Sequence, residues 1–507
     1  MRTALTNPLV PTTAVIDALR AAGFEVPPPQ PASRTVLDTF DGRLHAAGLR
    51  LEHHTGPPAA LHLWSAEYAP AATLDRPTPP TWPSELPAGP FRSRLAAVTR
   101  ERALLPVLTV HSRVQTARRR DRRGKTVALV DVHESIVADP NGGDGPSSAV
   151  EVTGIVGHGD AADGAVLRLR SLGLEEAGGD LAHLVAGTAV ALRGYDDSPT
   201  VPLQPDDDAL AGFRRVLANL CRTAFANLQG TIDDVDPEFL HDLRVSVRRT
   251  RSVLGQGKGV LPQEVRDQYR EAFSWLGQVT GPPRDLDVYL LGWDAYVAPL
   301  GTDERASLET VRAALATRQR VAHRELSAQL RSERAHTLLD GWQRWLTDSA
   351  VDERASGPIG PVVAKRIAAA QATVLRDGRR IHPDSPGERL HDLRKDAKKL
   401  RYLLECFGGL YPSKPRRAFV GQLKALQDNL GEHQDAEVHF GQLRVLAREL
   451  HEDGVDADVL LAMGRLSDQL ERRRREERDA FAARFAAYDT KANRRALDDL
   501  IGEVRPS

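Results

Sequence analysis

A 150-residue internal repeat constrains this chain more than any other feature. HDLRVSVRRTRSVL at 241–254 matches HDLRKDAKKLRYLL at 391–404. The same offset carries WLGQVTGPPRDLDVYL at 275–290 onto ALQDNLGEHQDAEVHF at 425–440, aligning Leu276 with Leu426, Gly281 with Gly431 and Asp285 with Asp435. Two separate blocks at one spacing define a duplicated unit. Around them apolar residues recur at intervals of three and four, with charges in the gaps and Gly/Pro breaks every 15–25 residues. The region of about 205–500 is therefore predicted to be all-α: two pseudo-twofold-related four-helix bundles, with repeat 1 at about 205–345 and repeat 2 at about 358–500.

Residues 1–200 follow a different pattern. They are rich in proline and glycine, and short β-prone runs such as TVALVDV and AVEVTGIV stand between turn signals, which predicts a sheet-containing domain. The Pro70–Pro90 stretch reads as a long loop or an eroded part of the sheet. The linker SPTVPLQPDDD places the boundary near residue 200, and 507 residues suit two to three domains. Two isolated cysteines, Cys221 and Cys406, fit neither a disulfide scaffold nor a zinc cluster and are expected in the core, in a reducing compartment. The first residues lack a basic start followed by an apolar run, and nowhere do 18 apolar residues follow one another. The expectation is a soluble cytoplasmic protein.

The net charge of -1 says nothing about how charge is arranged. Residues 1–200 hold 20 Lys+Arg against 22 Asp+Glu, leaving 48 against 47 for the rest, so an anion site has to be a segregated stripe. The repeated helix supplies one. On a helical wheel His241, Arg244, Arg248 and Arg251 fall within about 80° of one another, Arg249 flanks them, and Leu243, Val247, Thr250 and Leu254 form a packing stripe beside them. His391, Arg394, Lys398 and Arg401, flanked by Lys399, repeat the pattern. A charged helix face is most often merely solvated. Here both copies keep it while intervening positions drift, and like charges so spaced repel one another unless something answers them. Cations one turn apart suit a ribbon of phosphates better than a single small anion. The second repeated block pairs a glycine read as helix-breaking with Asp285, Asp287, Asp435 and Glu437. These are read as caps and salt-bridge partners rather than as a metal site. The run ERRRREER at 471–478 reads as a solvated helix of alternating-sign pairs.

These motifs resemble the CHAD family, helical domains known as polyphosphate-binding modules. The resemblance spans about residues 205–500 and rests on His-x-x-Arg-x-x-x-Arg/Lys-Arg/Lys-x-Arg in both copies plus the GPPRDLDV and GEHQDAEV blocks. It implies inorganic polyphosphate as partner, contacted by His241, Arg244, Arg248, Arg249 and Arg251 and by His391, Arg394, Lys398, Lys399 and Arg401. Arg214, Arg215, Lys365 and Arg366 on the preceding helices are further candidates. VLDTFDGRLHAAGLRL at 36–51 is similar to a segment of the CYTH (triphosphate tunnel) fold, which implies an antiparallel-β first domain. That family's catalytic pattern is absent: no Glu-x-Glu-x-Lys strand opens the chain, Glu151-Val152-Thr153 stands where two carboxylates are expected, and Glu52, His53 and His54 replace arginines. The expectation is a degenerate, inactive domain without metal or cofactor, although the basic stretch from Arg113 to Lys125 could touch a polyanion.

Three functions compete, beside a purely architectural role that no positive feature of the sequence favours. The first is non-catalytic polyphosphate binding, with targeting to polyphosphate granules. The second is a metal-dependent triphosphate hydrolase or cyclase on the first domain, and the third is nucleic-acid binding. The third is disfavoured because the basic helix at 241–254 offers Val, Ser, Thr and Leu around its cations and no aromatic partners for bases.

Overall fold

A computed structural model describes every residue except 1, 8, 56–58, 66–69, 140–147, 156, 178–194, 196–197, 349–356 and 503–507. It divides the chain into two units, Met1–Asp196 and Asp197–Ser507.

The first unit runs β1 (Arg2–Thr6), α1 (Thr12–Ala21), β2 (Gln30–Asp38), α2 (Arg43–Ala46), β3 (Leu49–His54), β4 (Ala60–Ser65) and β5 (Pro70–Asp75). It continues with α3 (Pro90–Thr99), β6 (Leu105–Arg120), β7 (Thr126–Asp139), β8 (Ser148–Gly154), α4 (Gly159–Ser171) and β9 (Glu175–Glu176). The strands form one antiparallel sheet in the order β5-β4-β3-β2-β6-β7-β8-β1-β9. This half-barrel is consistent with the CYTH-like architecture. The proline-dense stretch after residue 70 resolves into the edge strand β5, where proline costs no ladder bond, followed by irregular chain and α3. Side chains alternate with the two-residue strand period. Val130, Val132, Val150 and Val152 are buried beneath Val15, Leu19 and Leu169 of α1 and α4. Leu51, Leu61 and Leu63 are buried beneath Leu44 and Leu95 of α2 and α3. The intervening residues Glu52, Asp131, His133 and Glu151 share the other face with Arg34.

The second unit is helical. Its first copy comprises α5 (Ala209–Ile232), α6 (Pro237–Gln256), α7 (Gln263–Val279), α8 (Gly281–Val297), α9 (Thr302–Leu330) and α10 (Glu333–Thr347). The second comprises α11 (Ile359–Gly378), α12 (Gly387–Cys406), α13 (Ser413–Glu452), α14 (Ala457–Tyr488) and α15 (Lys491–Gly502). The starts of α5, α6 and α7 map onto those of α11, α12 and α13 at the repeat's own offset. Each copy exceeds four helices because a short last helix follows its long one. The counts differ because α7 and α8 correspond to one continuous helix, α13. Pro282 and Pro283 explain the break: they cannot donate to the preceding turn, and their rings crowd it, whereas Glu432 and His433 in the second copy let the helix run on.

This corrects the reading of the aligned glycines as breakers, since Gly431 lies inside α13. Their common feature is the neighbour they share. A Cβ at Gly281 would stand 3.4 Å from a guanidinium nitrogen of Arg244, and one at Gly431 would stand 3.6 Å from Arg394, both ordinary contact distances. The repeated arginine thus runs past the equivalent glycine in each copy. Asp236 caps α6 by accepting from the amides of Glu238 and Phe239, with Pro237 at the first helical position where no amide is needed.

One continuous core joins the copies. Leu243 and Val247 of α6 and Leu393 and Leu400 of α12 are buried in the same cluster as Phe213 and Ile359. Gly212 lets α5 and α11 meet, because a Cβ there would fall 2.3 Å from Ile359. A second cluster, with Trp293, Leu308, Leu443 and Leu466, welds α8 and α9 to α13 and α14. No helix among the described residues is long and apolar enough to cross a membrane.

Candidate functional site

The buried stripes of α6 and α12 leave their opposite faces to solvent, and α7 closes the third side. A groove of about 870 Å³ results. It is lined by Arg248 and Arg251 from α6, Arg270 from α7, and Lys395, Lys398 and Lys399 from α12. Against these six cations stand two carboxylates, Asp267 and Glu271, and Asp267 already faces Arg266 at 3.5 Å. Among the described residues only Lys395 of the six forms an ion pair, with Asp392 at 2.7 Å. Arg251 reaches Ser274 Oγ at 3.5 Å.

Crowding like charges in a half-buried groove has measurable consequences. Burial, with repulsion from Arg394 and Arg248, pushes Lys398 down to about 7. Burial, with repulsion from Arg248, pushes Arg244 down to about 10. Both shifts mark cations whose charge is disfavoured, Lys398 in the groove and Arg244 behind Arg248, and an anion beside them would relieve it. Two buried polar groups point the same way. Arg248 Nε and the hydroxyl of Tyr402, a residue 5% exposed that lines the groove, have no hydrogen-bond partner among the described residues. Buried donors without partners are costly, and phosphate oxygens are acceptors.

The structure distributes the sequence-predicted residues unevenly. Arg248, Arg251, Lys398 and Lys399 converge on the groove. Arg244 donates to Gly277 O and Thr280 Oγ1, both at 3.3 Å, while its counterpart Arg394 meets Asp435 at 3.3 Å. His241 Nδ1 accepts from Arg284 of α8 at 2.9 Å, and His391 Nδ1 lies 2.6 Å from Gln434 Oε1 of α13, so each histidine ties its helix to the segment that carries the second repeated block. Arg249 turns to the far side of α6 and bonds Glu405 at 2.7 Å, and Arg401 faces the same carboxylate at 3.5 Å.

The four candidates on the preceding helices do not line the groove. Arg214 donates to the carbonyls of Trp345 and Leu346 and so caps α10. Arg215 pairs with Asp207 and Arg366 donates to Lys258 O at 2.8 Å, while Lys365 is exposed on α11. Among the acidic residues, Asp435 is a salt-bridge partner as read, but no capping is seen: Asp435 and Glu437 lie inside α13, and Asp287 accepts from Gln319 at 2.9 Å.

Sequence reasoning missed Arg270 and Lys395. Their counterparts at the repeat offset are Val420 and Val245, so a search for what both copies share passes over them.

The polar face of the sheet holds a second charged cluster. Ligand atoms of Asp131, His133 and Glu151 lie within 4.8 Å of one another, with Glu151 and His133 buried. Arg34 donates to Glu151 and, at 3.2 Å, to Asp131, and stands 3.3 Å from His133 Nε2. Arg34 on β2 is three strands from Glu151 on β8, about 14 Å in a flat sheet, so these side chains meet only because the sheet curls. Asp131 and His133 escaped the sequence reading, although their alternation with Val130 and Val132 places them on the face opposite the core. The set does not suit the divalent cation of a triphosphate-cleaving enzyme. A guanidinium already sits among its acceptors, and one donor is an imidazole where magnesium favours oxygen.

Residues 215–444 match the family model of the CHAD domain. Two uncharacterised proteins of Mycobacterium tuberculosis, from strains CDC 1551 / Oshkosh and H37Rv, are each 31% identical over 235 residues. The match covers 43% of this chain and 42% of the relative, so under half the length of these relatives is spanned. Among solved structures, the CHAD domain of the plant Ricinus communis is 28% identical, with coverage of 58% of this chain and 96% of that one and a TM-score of 0.49. PptA from Streptomyces chartreusis is 18% identical, with coverage of 56% and 100% and a TM-score of 0.43.

Proposed function

We propose that the CHAD domain this chain carries at residues 215–444 binds inorganic polyphosphate without turning it over, in the groove between α6, α7 and α12. The family match supports a polyphosphate-related role at the level of the family. The observation that carries the finer reading is the set of cations without carboxylate partners in one open groove, drawn from both copies of the repeat. A chain of phosphates offers anionic oxygens along its whole length and can answer Arg248, Arg251, Arg270, Lys398 and Lys399 together. Nucleic acid is the weaker fit, because the one aromatic lining the groove, Tyr402, is buried beneath Arg249 and Arg401 and offers no face to a base. Recruitment of the protein to polyphosphate granules follows from the same reading.

Titration with long-chain polyphosphate at 50 and 200 mM salt tests it, alongside a magnesium-dependent triphosphate hydrolysis assay on the same sample. Engagement of about five phosphates should weaken binding by two orders of magnitude or more over that range, with no phosphate released. Salt-independent binding or metal-dependent turnover would overturn it.

A further inference from the structure

We propose that the helical unit contains a second polyanion groove, the pseudo-symmetric twin of the first, held shut by Glu405 and by the Ser198–Leu203 segment; this rests on the polyphosphate reading above. The repeat offset predicts where the twin lies. It carries Lys399 onto Arg249, Gly255 onto Glu405, Arg266 onto Arg416 and Asp267 onto Arg417. A cavity of about 250 Å³ is found there, lined by Arg249, Glu405, Arg416 and Arg417 together with Pro199 and Thr200. Three arginines converge on it. The Nε atoms of Arg249 and Arg416 are buried and have no hydrogen-bond partner among the described residues.

Two differences close this copy. The first is a carboxylate in place of a glycine. In the open groove Gly255 presents no side chain, and nothing stands within 4 Å of where its Cβ would be. In the twin, Glu405 binds Arg249 at 2.7 Å and Arg401 at 3.5 Å, and so neutralises the counterparts of Lys399 and Arg251. The second difference is a strap. Thr200 Oγ1 donates to Glu405 O at 3.2 Å, and Asn219 donates to Ser198 O at 2.8 Å. Gly409 lets the strap lie down, since a Cβ there would fall 2.0 Å from Val201 O. The duplication thus yields one open cationic groove and one that supplies its own anion and its own cover.

The test uses the full chain, calorimetric titration with tripolyphosphate at low salt, and reciprocal variants. Wild type should bind one equivalent. Glu405→Gln with Thr200→Val removes the internal anion at constant volume together with the strap's hydroxyl bond, and should bind two. Gly255→Glu installs that anion in the open groove, where there is room for it, and should weaken the existing site by about tenfold or more, as expected for losing charge-assisted contacts. One equivalent in the double variant with unchanged circular dichroism would overturn the proposal. If the double variant unfolds, Glu405→Gln alone is titrated in its place, and one equivalent there overturns the proposal while two sustain it. Absence of binding in wild type would remove the polyphosphate reading itself, a different failure from a second site that never opens.

Discussion

Two surfaces of this molecule gather arginine, and they do opposite things with it. On the polar face of the sheet Arg34 meets Glu151, Asp131 and His133, so the charge is answered within the fold. In the helical groove Arg248, Lys398 and Lys399 converge from two copies of one helix, and among the described residues no carboxylate forms an ion pair with them. The near-zero net charge hides both arrangements equally. Cations become a binding site where the fold withholds their partners, and a structural element where it supplies them.

The largest effect expected from breaking this contrast is at the groove. Arg248→Glu with Lys398→Glu removes two cations and adds two anions, and should weaken polyphosphate binding by about 3–6 kcal/mol, on the order of a hundredfold to ten-thousandfold, with helicity unchanged. A cooperative loss of helicity would instead place these residues in the structural class. On the sheet the outcome should reverse. Arg34→Met takes from buried Glu151 and from Asp131 the guanidinium they share, and should cost the first unit about 3–5 kcal/mol while leaving polyphosphate affinity alone. Unchanged thermal unfolding in that variant would show that the cluster is not held by Arg34.

Much of this contrast was legible in the sequence. The duplication, its offset and the apolar stripes of α6 and α12 fixed a helical unit with paired basic faces. Alternation did the same for the strands of the first unit. The assembly of the groove was not legible, because it depends on which flank of each helix the partner copy leaves open. Arg249 and Lys399 occupy equivalent places, yet one is consumed by Glu405 and the other is free of ion pairs among the described residues. Repeat logic finds what two copies share, whereas this site is made where they differ, at Arg270, Lys395 and Gly255. The sheet cluster was missed for a related reason: Arg34, Asp131 and Glu151 are brought together by curl, which no local pattern encodes.

A smaller effect should appear with pH. Lys398 titrates at about 7 because burial, Arg394 and Arg248 oppose its charge. It is cationic at pH 6 and mostly neutral at pH 8, so polyphosphate affinity should fall across that interval by up to about tenfold, the worth of one charge-assisted contact. Binding near pH 7 should take up protons, which titrations in buffers of different ionisation heat would detect, and Lys398→Arg should abolish the dependence. For the free protein the sign is opposite. The unfolded chain keeps this proton up to its ordinary 10.5, so it binds more protons than the native state above about 7, and stability should rise with pH through that window. A flat affinity profile from pH 6 to 8 would mean that Lys398 lies outside the bound chain's reach.

The smallest effect separates a contact made by the fold from one awaiting a ligand. Tyr402 is a buried residue at the groove's lining, and its hydroxyl has no hydrogen-bond partner among the described residues. A hydroxyl that held the fold together would cost stability on removal. One without a partner costs desolvation while it is present, so Tyr402→Phe should leave the melting temperature of the free protein unchanged or slightly raised. In the complex the same hydroxyl can donate to a phosphate oxygen, and its loss should weaken binding by about 1 kcal/mol, roughly fivefold. Opposite signs from one atom, read by thermal unfolding and by calorimetry on the same variant, would place it in the binding surface. A lowered melting temperature with unchanged affinity would return Tyr402 to the core.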